Sequence, residues 1–223
     1  MWKILVVMVY NLSVQNSVLS QWMSEIRNIE TQTDRMRFRR NLERVGEVAA
    51  YEISKTLPFQ GLTVQTPLGE SIIQVPERQP VIATILRAGL PLHQGLLNYF
   101  DHADCAFIAA YRKHHRDGNF EIEHHYTTCP PLDGRSVILA DPMLATGASV
   151  NLSLEKLQMH GTPLSIHVVT VIACSEGIEN VMRRFPEVTI WAGDIDEELT
   201  AKGYIVPGLG DAGDLAFGPK QQG

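Results

Sequence analysis

The chain has 223 residues, of which 44% are apolar and 20% charged, and its net charge is −6. That composition supports a sizeable core in one domain spanning 1–223 and excludes a disordered chain or one held mainly by nucleic-acid phosphates. No run reaches the roughly 18 apolar residues of a membrane span, and Cys105, Cys129 and Cys174 lack any CxxC spacing, which reads as reduced, buried thiols of a cytoplasmic protein. Ile4–Val9 predicts a first strand or ordered arm, not a signal peptide, because Tyr10-Asn11 break the run and no small-x-small site closely follows. Ser17–Ile29 has helical spacing at Val18, Leu19, Trp22, Met23 and Ile26, with Ser17 or Ser20 as a cap. Thr33–Leu57 predicts a longer helix with Met36, Leu42, Val45, Val48, Ala49 and Ile53 on one side. Its other side carries Arg35, Arg37, Arg39, Arg40 and Arg44, read as a solvated face balanced by Glu43 and Glu47 or as a contact for a subunit partner or anionic effector.

Leu62–Gln65 and Ser71–Val75 alternate around Pro67-Leu68-Gly69 and predict a hairpin. Pro80–Leu86 (PVIATIL) predicts a buried strand that ends in Arg87-Ala88-Gly89, followed by a helix through Asn98. A guanidinium at such a turn offers planar, multidentate donors to a diphosphate; a surface ion pair is the plainer alternative. Ala106–Ala110 is a further strand, ending in Tyr111-Arg112. Lys113–Phe120 predicts a loop suited to a lid, and Glu121–Thr127 a short returning strand. The pairs His114-His115 and His124-His125 do not make a metal site, since adjacent residues of a strand point to opposite faces and no third ligand is spaced to match.

Ser136–Val150 reads SVILADPMLATGASV. A buried strand stops at Asp141-Pro142, a small-residue tip follows at Ala145–Ser149, and a helix runs through His160. Such a unit places a carboxylate and backbone N–H groups at the carboxyl edge of a sheet, where open α/β sheets bind ligands. The combination suits a ribose phosphate. Capping by Thr146 or Ser149 explains a hydroxyl but neither the Asp nor the Gly, and no Gly-Lys-Ser/Thr of a nucleotide-triphosphatase loop is present. Leu164–Ala173, Glu176–Phe185 and Val188–Ala192 continue as strand, helix, strand. The alternation predicts an α/β fold with a central, mostly parallel, five-stranded sheet flanked by helices on both faces. Gly193–Gly218 then holds six glycines in a span too long for an idle loop. Pro207-Gly208-Leu209-Gly210 and Asp211-Ala212-Gly213-Asp214 predict tight turns. The segment, approximately 193–218, reads as a small C-terminal hood whose backbone can recognise a flat heterocycle.

Three motifs, ILRAGL at Ile85–Leu90, DPMLATGAS at Asp141–Ser149 and GYIVPGLGDAGD at Gly203–Asp214, closely resemble the uracil phosphoribosyltransferases of the type I phosphoribosyltransferase family. The weaker RFR at Arg37–Arg39 and Tyr111-Arg112 fall in the expected order, and the resemblance runs from about Asn11 to Gly218. It implies transfer of a phosphoribosyl group from phosphoribosyl diphosphate to uracil N1, giving UMP and diphosphate, with Asp141, Arg87 and Asp211 as catalytic residues. Phosphoribosyl diphosphate would be bound by Arg87, Arg112, Asp141, Pro142, Met143, Leu144, Ala145, Thr146, Gly147, Ala148, Ser149 and Asp211. Uracil would be read at Ile205, Gly210, Asp211 and Ala212. The resemblance further implies Mg²⁺ carried on the diphosphate without a dedicated protein site, a homodimer or larger homo-oligomer, and GTP as a possible effector. It implies neither a nucleic-acid partner nor a membrane.

Departure of diphosphate leaves positive charge on the ribose ring and negative charge on the leaving oxygens, so positioning and charge stabilisation suffice without a protein nucleophile. Uracil's acceptor–donor–acceptor edge is distinguished from cytosine by one mismatch that costs on the order of 1–3 kcal/mol. Ala148 stands where the family often has a second glycine, and Pro142 where many type I enzymes have a second acid. The alternatives on the same fold are a pyrimidine-sensing RNA-binding regulator, disfavoured by the tail motif and the acidic charge, and an enzyme for another nucleobase.

Overall fold

Strands that are apolar on both faces need cover on both faces, and the helices of this chain supply it. The computed structural model describes residues 9–114 and 120–219, with the side chains of 110–114 and 120–125 outside that description. In chain order the elements are β1 (Val9–Asn11), α1 (Val18–Arg27), α2 (Arg35–Ser54), β2 (Phe59–Thr66), β3 (Gly69–Pro76), β4 (Val81–Leu86), α3 (Leu90–Leu97), β5 (Asp104–His114) and β6 (Phe120–Thr128). Then follow β7 (Ser136–Ala140), β8 (Met143–Leu144), α4 (Ala148–Gln158), β9 (Ser165–Cys174), α5 (Ser175–Arg184), β10 (Thr189–Asp196), β11 (Glu198–Leu199), β12 (Ile205–Val206) and α6 (Ala212–Phe217).

The main sheet runs β1-β10-β9-β7-β4-β5-β6, with β8 added beside β9. All its pairings are parallel except β5 with β6. The five strands expected from the sequence are its contiguous centre, so the α/β, mostly parallel architecture holds. β1, β6 and β8 enlarge it, each too short or too polar to stand out as an apolar run. Alternate residues of the central strands face opposite layers. Ile82, Ile138, Val169, Val171 and Trp191 pack with Leu19 and Ile26 of α1, Phe38, Leu42 and Val45 of α2, and Leu92 and Leu96 of α3. Val81, Ala83, Val137, Leu139, Val168 and Ile190 pack with Val150, Leu154 and Leu157 of α4 and Val181 of α5.

Ser17 caps α1, accepting from Leu19 N at 3.2 Å, while Ser20 Oγ accepts from Ser17 N at 3.4 Å, so both candidate serines serve. Glu25 then ties α1 to α2: Arg37 grips it with Nε at 2.7 Å and Nη2 at 2.8 Å, and Asn41 Nδ2 donates at 2.7 Å. The Arg37 hydrogen bonds, with help from Asn41, lower the Glu25 carboxyl to about 2. The arginine face divides: Arg40 pairs with Glu43 at 2.7 Å and Glu47 at 3.1 Å, as expected of a balanced face, whereas Arg39 donates to Ala216 O at 2.7 Å and Arg44 lies over the Trp22 ring.

Two expectations need correction. β5 continues to His114 and β6 begins at Phe120, with Tyr111 paired to Glu123 and Lys113 to Glu121, so an antiparallel backbone ladder carries on where the apolar pattern stops. The centre of the expected lid, residues 115–119, lies outside the described residues, as does most of Ile4–Val9. In the tail, Asp211–Asp214 opens α6 and is not a tight turn: Asp211 is the N-cap and its Oδ1 accepts Asp214 N–H at 3.0 Å.

Candidate active site

β7 is buried along all five residues and delivers Asp141, 8% exposed, to the carboxyl edge of the sheet. Asp141 N–H donates to Val169 O at 3.0 Å, and Pro142 O accepts from Val171 N and Ile172 N at 3.1 Å each. Met143–Leu144 then rejoin the sheet as β8. The acid is thereby placed by the ladder itself. Next, Gly147 begins α4 with φ +80°, a left-handed conformation that favours glycine. Gly147, the N-cap, has no side chain to cap α4, but Thr146 Oγ1 accepts the Ala148 N–H at 3.4 Å, so capping accounts in part for Thr146 and not for Ser149. The first N–H groups of a helix have no intrahelical acceptor and draw anions.

From behind, α5 props the loop: Asn180 Nδ2 donates to Thr146 O at 3.1 Å, and a Cβ on Gly177 would stand 2.3 Å from Ala145 O. The Ala148 methyl is exposed, so replacing a glycine there crowds nothing in the protein.

β4 pairs with β7 in register Thr84 to Ala140, which brings the following turn, Arg87-Ala88-Gly89, beside Asp141. A Cβ on Gly89 would lie 2.2 Å from Thr84 Oγ1 and 2.7 Å from Ala140 O, so the two strand ends touch through glycine. The Leu86–Arg87 peptide is cis. Arg87 Nη2 donates to Asp214 Oδ1 at 2.9 Å and Gly218 O at 2.7 Å, crossing to the tail. With both side chains 37% exposed, the surface ion-pair alternative holds as geometry, and its partner is the tail that carries the third motif. Arg112 lies in β5 opposite Ile122, and its side chain is outside the description.

The tail closes over this edge. Among the described residues, β11 and β12 pair only with each other, Glu198 to Val206 and Leu199 to Ile205. Ile205, Leu209, Ala212 and Ala216 are buried in the same cluster as Ala140 and Ala145. A Cβ on Gly213 would lie 3.7 Å from Ala88 Cβ and 3.2 Å from Asp211 Oδ1, so α6 begins directly against the Arg87 turn. Arg87, Asp141, the 145–149 loop and Asp211–Ala212 therefore meet at one end of the sheet, while Ile205 turns its side chain into the core.

Sequence reasoning missed Asp214 and Arg39. Asp214 stands three residues after the cap Asp211, a spacing that marks a helix start and carries no hint of an arginine 127 residues away. Arg39 stands in a basic face and in the weak RFR motif, neither of which points to a contact with the tail.

The family model described as "UPRTase: Uracil phosphoribosyltransferase" matches residues 13–219. A uracil phosphoribosyltransferase of Porphyromonas gingivalis is 48% identical over 213 residues, covering 95% of this chain and 99% of the relative. One from Pyrococcus furiosus is 43% identical over 199 residues, covering 88% and 84%. The solved structure of the AQ2163 protein from Aquifex aeolicus is similar with a TM-score of 0.84 and 31% identity, covering 95% of this chain and 98% of that one. On this breadth of match, joined to three motifs that meet at one sheet edge, the chain belongs to the uracil phosphoribosyltransferase family.

Proposed function

We propose that this chain is an enzyme that joins uracil N1 to C1 of phosphoribosyl diphosphate, releasing UMP and diphosphate. The observation that carries the reading is the docking of GYIVPGLGDAGD against Arg87, beside the Asp141 edge. Asp141 takes the ribose hydroxyls, and the turn Pro142-Met143-Leu144 holds it in place. Ala145, Thr146, Gly147, Ala148 and Ser149 receive the 5′-phosphate on backbone N–H groups. Arg87 and Arg112 neutralise the diphosphate as it leaves, which is where charge develops. The backbone of Ile205, Gly210, Asp211 and Ala212 reads the uracil edge, within a single domain whose hood is 193–218.

The hard carboxylate oxygens of Asp141 and Asp211 fit Mg²⁺, and no group of three or more His, Cys, Asp or Glu among the described residues forms a cage for it. That donor set suits an ion brought on the substrate's phosphates, where it supplies further charge neutralisation. The hairpin β2–β3 supports a homodimer or larger assembly: among the described residues it pairs with no other strand, and it exposes Leu62, Leu68, Ile72 and Ile73, with Leu68 fully exposed and Ile72 at 72%. Cytoplasmic location and a GTP effect belong to the same reading.

The test is a base panel with Mg²⁺ and phosphoribosyl diphosphate, with and without GTP. Conversion of uracil to UMP is expected, with cytosine, hypoxanthine and orotate poor substrates. A preference for a purine removes the tail from its assigned role.

A further inference from the structure

Arg27, the last residue of α1, is 21% exposed and faces the tail. Its guanidinium grips Asp196 with both arms, Nη1 to Oδ2 at 2.9 Å and Nη2 to Oδ1 at 2.8 Å. Nη2 also reaches Asp194 Oδ2 at 2.8 Å, and Nη1 donates to Gly208 O at 3.1 Å. Asp196 Oδ2 in turn accepts Gly208 N–H at 2.9 Å. Both polar groups of one tail residue are therefore held by one ion pair. Gly208 has φ +59°, and a Cβ there would stand 2.2 Å from Ile205 O, so the site admits glycine alone.

Neighbouring contacts stiffen the arrangement. Asp194 Oδ1 accepts from Asn11 Nδ2 at 3.2 Å and from Ile195 N at 2.9 Å. The Gln32 amide, oriented to satisfy both its atoms, donates to Leu209 O at 2.8 Å and Ile26 O at 3.2 Å. A bidentate pair at low exposure is directional and strong. None of these bonds touches the 145–149 loop.

We propose that Arg27 is a positioning residue for the nucleobase: through Asp196 it fixes the turn Pro207–Gly210 and hence the aim of the backbone groups of Gly210–Ala212. The inference rests on the reading of those groups as the uracil site. Backbone recognition has no rotamer with which to compensate a shift, and hydrogen bonds weaken steeply with misalignment. Displacing the turn therefore weakens uracil binding most; phosphoribosyl diphosphate keeps its contacts at Arg87, Arg112 and Asp141–Ser149 and loses only what Asp211 gives it.

The experiment compares wild type with Arg27→Lys, which keeps the charge but not the fork, and with Asp196→Asn, which keeps the shape. KM is measured for each substrate, and amide hydrogen exchange is followed across 205–212. Expected are a rise in KM for uracil of about tenfold for Arg27→Lys, a KM for phosphoribosyl diphosphate within about twofold of wild type, and faster exchange confined to 205–212. In Arg27→Ala, added guanidinium ion restores uracil affinity and ethylammonium does not. Wild type that makes no UMP overturns the base assignment before any variant is considered. With the base assignment standing, equal rises in both KM values, or unchanged exchange across 205–212 in all variants, overturn the role given to Arg27.

Discussion

The two halves of the proposed active site, one assigned to the ribose phosphate and the other to the base, are built by opposite means. The ribose-phosphate half, Asp141–Ser149, is placed by contiguous backbone: β7 leads in, β8 pairs beside β9, and α4 leads out. The base half, 205–218, makes no ladder with the main sheet. Polar contacts from the side chains of Arg27, Arg39 and Arg87 reach it from 127 to 181 residues away in sequence. The first half is part of the scaffold and rigid for that reason, whereas the second is docked on it. Damage to the first should change chemistry and phosphate binding; damage to the second should change base recognition.

The largest effect expected is at Asp141. Asp141→Asn keeps the size of a side chain that is nearly buried and removes its charge, so a fall in kcat/KM of about 10²–10³-fold is expected with the fold intact by circular dichroism. An active Asp141→Asn enzyme would undo the assignment of ribose binding to the scaffold half.

Gly177→Ala comes next. Its methyl would collide with Ala145 O, and steric overpacking of this kind costs about 1–3 kcal/mol. A raised KM for phosphoribosyl diphosphate with uracil KM unchanged would sharpen the comparison, and the reverse would break it. Asp214→Asn, which withdraws the ion partner of Arg87, tests the contact between the tail and the turn that lies beside Asp141. A change of about three- to tenfold in KM for phosphoribosyl diphosphate is expected, read by initial rates at fixed uracil.

The mildest prediction lies away from both halves. His167 is buried between β7 and β10, where Trp191 Nε1 donates to its Nδ1 at 3.2 Å and its Nε2 faces Ser165 Oγ at 3.2 Å. Burial holds its imidazolium down, to about 4, and burial lowers His93 in the same sense. Below an unfolded value near 6.5 the unfolded chain binds the proton and the folded chain does not, so stability falls as pH drops from about 6.5 to 4. For His167 alone the loss is on the order of 3 kcal/mol at the lower end. Urea midpoints at pH 7 and pH 4.5 measure it. A His167→Gln variant should flatten that dependence whatever its stability at pH 7, and an unchanged slope would remove His167 as the source.

The same contrast explains what could be read from the sequence. The five central strands, the long helices and the acid-plus-loop unit were legible because each is a local pattern: a buried run, a 3.6-residue period, a strand that stops at Asp-Pro. The hood was legible only as a glycine-rich oddity whose meaning came from the family resemblance. Its anchors were not. Arg27 ends an ordinary amphipathic helix, and nothing near it in sequence announces Asp196 or Gly208. The start of α6 was misread because Gly213 suggested a turn, whereas the Asp211 cap and the contact with Ala88 favour a helix. The returning strand was legible, Glu121–Thr127 for β6 at Phe120–Thr128, but the continuation of β5 to His114 was not, since a backbone ladder of polar residues leaves no apolar trace.

The isolation of β11 and β12 from the main sheet has a consequence for redesign. A segment joined to its host by side-chain contacts, the arginines together with the buried Ile205, Leu209, Ala212 and Ala216, is a cassette: it can be exchanged without re-registering a single strand of the scaffold. Transplanting 197–218 between members of the family should carry base preference with it, provided the recipient keeps guanidinium groups at the places of Arg27, Arg39 and Arg87.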